Sequence, residues 1–117
     1  MLAVVGLGAC TGGDRPAVPA LTGKEVCPKL ERLIAPYLNT PLYTPAQGTQ
    51  LSDLGGKVDD LTRSIYGDAD LESMMNTLKQ DLNNAIDALD SGKNADGSRL
   101  NQVFNRINNH CSKIAGG

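Results

Sequence analysis

The chain has 117 residues, enough for one domain with a small hydrophobic core. Its 40% hydrophobic and 21% charged residues exclude wholesale disorder, and a 3% aromatic share with no Trp requires an aliphatic core of Leu, Ile, Val and Met. A net charge of −2, with Lys and Arg scattered along the chain, provides neither the basic stripe of a nucleic-acid binder nor a polybasic membrane patch, so no nucleic-acid partner is expected.

The first segment, Leu2 to Ala9, is apolar but far short of the roughly 20 residues that a bilayer span requires. It is rich in Gly and poor in β-branched residues beyond Val4 and Val5, which makes a poor strand. It closes on Leu7-Gly8-Ala9-Cys10: an aliphatic residue, two small residues and a cysteine. This tetrapeptide resembles the lipobox of bacterial lipoproteins, in which small residues let a peptidase seat the extended chain just before the cut. The resemblance implies that residues 1–9 are a partial lipoprotein signal cleaved after Ala9. It also implies a fatty-acylated, palmitate-type Cys10 at the start of the mature chain, and an exported protein anchored extracytoplasmically to a bacterial membrane. Thr11 to Leu21, with Gly12, Gly13, Pro16 and Pro19, reads as a flexible tether that completes a 10–21 unit. At about 3 Å per residue it would hold a following domain, residues 22–117, up to roughly 30 Å from the anchor.

The first helix is expected within Thr22 to Leu38. Thr22 and Glu25 have capping-box spacing, whereas Pro28 prefers a first turn, so the start falls anywhere from 23 to 28. Val26 or Cys27, Leu30, Leu33, Ile34 and Tyr37 form its apolar stripe, and Pro36 kinks or ends it. Residues 39–50, with two prolines and a glycine, read as an irregular connection. A second helix is predicted over Ser52 to Tyr66 from Leu51, Leu54, Val58, Leu61 and Ile65, weakened in its first turn by Gly55-Gly56 and stopped by Gly67. The third, capped by Asp68 or Asp70 and ended by Gly92, has the clearest pattern in Leu71, Met75, Leu78, Leu82, Ile86 and Leu89. After the loop Lys93 to Gly97, a fourth helix from Ser98 to Ile114 turns Leu100, Val103, Phe104, Ile107, Cys111 and Ile114 inward. No β-hairpin and no internal repeat is evident. The expectation is an all-α fold, a small four-helix bundle of three strong helices plus a Pro-bounded first helix.

Cys27 lies near the start of the first helix and Cys111 near the end of the last, so antiparallel packing would bring them together. With one cysteine for lipid, two remain for a bridge. An exported chain sits where disulfides persist, and closing so long a loop would add about 4 kcal/mol in the chain-entropy account. A Cys27–Cys111 disulfide is therefore expected to staple the bundle.

Groupings capable of catalysis or metal binding are sparse. His110 is the sole histidine, and with its cysteine neighbour committed to a disulfide it falls short of the three or four ligands zinc requires. A histidine in a last helical turn, favoured by the dipole, is the simpler reading. The loop Gly92 to Gly97 has Asn94 and Asp96 at alternating positions, but an EF-hand needs acids where Gly92 and Val103 stand. Asp68, Asp70 and Glu72 suit the first turn of any helix. No nucleophile elbow, zinc-protease, P-loop or dinucleotide motif is present. No cofactor, no metal and no catalysis are expected.

Two amide-rich stripes remain: Asn76, Gln80, Asn83 and Asp87 on the third helix, and Asn101, Asn105, Asn108 and Asn109 on the fourth. Amides donate and accept without charge, which suits sugars or a partner's backbone, and a solvated bundle face accounts for them as well. Asn101, Asn105 and Asn108, with Tyr43 of the Pro/Tyr segment, are the candidate interaction surface, although Tyr43 also suits packing down over the bundle. The function expected is a lipid-anchored envelope protein displaying a small helical interaction domain to a protein or envelope partner. A small-ligand carrier or sensor with an apolar cavity is the alternative. A phage or prophage lipoprotein that excludes superinfecting phages is a further role such an architecture could serve.

Overall fold

The computed structural model describes residues 20–116; the lipobox-like segment, Cys10 and nearly all of the tether lie outside the described residues. Four helices form the body: α1 (Gly23–Ile34), α2 (Gly48–Ser64), α3 (Ala69–Asp90) and α4 (Ser98–Gly116). Short connections make them antiparallel neighbours, and each packs against the two beside it in a closed ring, α1 against α4 included. The fold is the small all-α bundle that the apolar periodicity implies.

Helices α1, α3 and α4 begin where a side chain satisfies free N–H groups. Thr22 caps α1 in a full capping box: its Oγ1 accepts from the Glu25 N–H at 3.3 Å, and the Glu25 carboxylate accepts from the Thr22 N–H at 3.0 Å. This cap prevails over the preference of Pro28 for a first turn, and Pro28 sits inside the helix. It has no N–H to offer the Lys24 carbonyl, but both residues are exposed and water can take that bond. Asp68 caps α3. At the start of α4, Asp96 accepts from the Ser98 N–H at 2.8 Å and from the Ser98 hydroxyl at 2.7 Å. Those two bonds hold the Asp96 carboxyl below its ordinary pKa.

Three features depart from the sequence reading. Helix α2 starts at Gly48, four residues early, because a 3-10 turn at Pro45–Gln47 feeds directly into it; Gly55 and Gly56 thus lie in its interior and not in its first turn. It stops at Ser64, and Ile65 is extended. The connection before α2 is also more ordered than its prolines suggest. Its strand β1 (Leu42–Tyr43) pairs antiparallel with β2 (Ala95–Asp96) of the α3–α4 connection, Leu42 opposite Asp96 and Tyr43 opposite Ala95. Two residues per strand, separated by two helices in sequence, leave no hairpin signal to read. Gly97 permits the pairing: its N–H donates to the Pro41 carbonyl at 3.0 Å, and a side chain there would collide with the Thr40 carbonyl.

The core is aliphatic, as composition requires, with Phe104 and Tyr43 its largest members. Every helix contributes completely buried side chains, among them Leu30, Leu51, Leu78 and Ile107. Ile86, expected inward, is half-buried beside the core while Ala85 takes the buried position. Cys27 and Cys111 form the expected disulfide, with Cα atoms 5.6 Å apart and both residues buried, joining α1 to α4 across 84 positions.

Candidate interaction surface

The two ends of the bundle differ. At one end the chain enters beside the α2–α3 connection: Leu21 donates to the Ser64 carbonyl at 2.8 Å and accepts from the Tyr66 N–H at 2.9 Å, a single parallel bridge of Leu21 to Ile65. The start of α1, the start of α3, the end of α4 and the disulfide gather there. At this end His110 Nε2 lies 2.8 and 3.1 Å from the two Asp68 oxygens, and Asp68 Oδ1 also accepts from the Leu71 N–H at 3.0 Å. Burial pushes the Asp68 carboxyl up, but the His110 and Leu71 hydrogen bonds and the imidazole's charge outweigh it and hold its pKa below the ordinary value. A Cβ on Gly23 would stand 2.5 Å from Asp68 Oδ2, so α1 also closes on this pair. His110 therefore ties the end of α4 to the cap of α3, a structural bond in which nothing nucleophilic takes part.

The opposite end carries β1, β2 and the Pro/Tyr segment. Tyr43 is completely buried, and its hydroxyl donates to the Tyr37 carbonyl at 3.3 Å. It belongs to the core and leaves the candidate surface; its neighbour Leu42, 49% exposed, is the apolar residue that reaches solvent. The strand's alternation accounts for this, because only one of two successive side chains can face inward. Asn101 is half-buried and donates from Nδ2 to the Thr40 carbonyl at 2.9 Å, bracing the connection, while its Oδ1 is buried without a partner. Asn105 is exposed and Asn108 half-buried. Asn76, Gln80, Asn83 and Asp87 are all exposed.

Surface grooves run between neighbouring helices. One of about 780 Å³ between α2 and α3 is rich in acids, and the cations at it are engaged: Lys57 pairs with Asp53 at 3.0 Å, and beside it Arg63 pairs with Asp60 and Lys79 with Asp59 at 3.0 Å. A groove of about 360 Å³ between α1 and α2 has Leu33 and Leu61 as its floor, with Lys29, Arg32 and Lys57 at its rim. Another, of about 470 Å³ between α3 and α4, is lined by Thr77, Gln80, Asp81 and Asn84 from α3 and by Arg99, Gln102 and Arg106 from α4, over Val103. Of these only Gln80 stands in the stripes singled out from sequence. The signal was present as spacings of three, four and seven residues on both helices, but which flank of a helix meets which neighbour requires the topology.

Among the described residues no group of three or more His, Cys, Asp or Glu could hold a metal ion, and no helix is long and apolar enough to cross a membrane. No protein-family model, curated protein or solved structure matches the chain.

Proposed function

We propose that this chain is a lipid-anchored extracytoplasmic protein of a bacterial envelope, held at the membrane through Cys10 and displaying its helical bundle as a non-catalytic interaction domain. The observation that carries the reading is the buried Cys27–Cys111 disulfide. Such a bridge persists in oxidising compartments, and it uses two of the three cysteines, leaving the one that ends the lipobox-like Leu7-Gly8-Ala9-Cys10 for acylation. The tether would join the bundle at Leu21, at the end opposite β1 and β2. A carrier of small apolar ligands would instead need an apolar space enclosed between the helices, whereas the α1–α2 groove over Leu33 and Leu61 opens to solvent. Fractionation tests the reading. The wild-type chain is expected in the membrane fraction and in the detergent phase, and Cys10→Ser in the soluble fraction; equal membrane partition of the two contradicts the anchor.

A further inference from the structure

We propose that the α3–α4 groove is a binding site for an acidic glycan, a carbohydrate chain with repeated carboxylate or phosphate groups; this rests on the envelope-display reading and names the class of partner. The groove differs from the charged groove beside it in its cations. The side chains of Gln80, Asp81, Asn84, Arg99, Gln102 and Arg106 make no hydrogen bond or ion pair with any described residue, although they line one concavity. On α2, by contrast, Lys57 and Arg63 are bound to acids of their own helix.

The chemistry of this lining selects the ligand. Arg99 and Arg106 each offer a planar fork that binds carboxylate or phosphate in two bonds. They stand seven residues apart on α4, about 10 Å along its axis at ~1.5 Å per residue, a spacing that suits two anionic groups of one chain. An extended chain with anionic groups at intervals can meet both. Gln80, Asn84 and Gln102 donate and accept, matching hydroxyls that do the same. The groove offers Val103, 4% exposed, as its apolar floor and no aromatic or deep apolar pocket. That disfavours a polypeptide, whose hot-spot side chains need such pockets. Asp81, half-buried in the same wall, accepts from hydroxyls but repels anions, and so limits the charge density the groove takes.

The test is an amide-resonance titration of the full chain with a short oligogalacturonate, beside a neutral maltooligosaccharide of equal length, a glutamate oligomer of equal charge and inorganic phosphate. Oligogalacturonate is expected to shift resonances within 77–84 and 99–106, and the other three to bind at least tenfold more weakly. Arg99→Gln and Arg106→Gln, both at exposed positions, should each weaken binding about tenfold. Asp81→Asn should tighten it severalfold, a gain that damage to the fold cannot produce. Shifts centred elsewhere, indifference to both arginine variants, or equal affinity for the glutamate oligomer or for phosphate overturns the proposal. Acylation plays no part in these readouts. A chain that binds the glycan yet carries no lipid on Cys10 would sink the anchor and leave the groove standing.

Discussion

Asp68 uses its two oxygens for two helices: Oδ1 caps α3 through the Leu71 N–H, and the carboxylate holds His110 of α4. Replacing it with Ala should cost about 1–2 kcal/mol at neutral pH, from the lost cap and the orphaned imidazole, read as a lower denaturant midpoint. The pH dependence follows from its lowered pKa. A carboxyl that titrates lower when folded stabilises the protein above its unfolded value of 3.8, and that stability is lost as pH falls through the folded value. Wild type should therefore lose stability below pH 4 more steeply than Asp68→Asn; parallel profiles would remove the pair from the account. The cap was legible to within two residues, since Asp68 and Asp70 both precede an apolar run. The His110 partnership was not, because 42 residues separate the two and only the α3–α4 crossing brings them together. Tyr43 shows the same limit: a tyrosine between two prolines reads as core or as contact surface, with packing over the bundle the stronger reading, until its strand has a partner.

At the scale of elements, the α3 and α4 stripes were legible because their apolar spacing runs unbroken for several turns. The start of α2 was not, since Gly48 and two further glycines disfavour a helix locally, and the signal that begins the turn, Gln47 Oε1 accepting from the Thr44 N–H at 2.8 Å with Pro45 first in the turn, lies among residues that read as an irregular connection. Gly55 and Gly56 remain weak points in the middle of α2. Nothing lies within 4 Å of where a side chain would begin at either, so Gly56→Ala, at an exposed position, should stabilise the protein by about 0.5–1 kcal/mol. A lower thermal midpoint for this variant would mean that the helix needs glycine there for a reason the packing does not show. The disulfide joins the outer helices. Cys27→Ser with Cys111→Ser should lower unfolding free energy by about 4–5 kcal/mol, a large share of what a domain of this size possesses. An unchanged denaturant midpoint would show that α1 and α4 are held by packing alone.

For the whole molecule, the bundle and its staple followed from periodicity and from where the cysteines fall in the helices. Its surface did not, because a groove belongs to two helices and sequence patterns report on one at a time. Topology turns the scattered Arg99 and Arg106 into one wall and takes Tyr43 away from solvent. It also places Leu21, where the chain enters the bundle, at the same end as the disulfide and the Asp68–His110 pair. The claim on which localisation and display both depend is that Cys10 carries lipid while Cys27 and Cys111 carry each other. Intact-mass measurement of the chain from the membrane fraction of its native host tests both halves at once. The expected result is a mature chain beginning at diacylated Cys10 and two hydrogens lighter than its reduced form. An unmodified chain beginning at Met1 with three free thiols would contradict it.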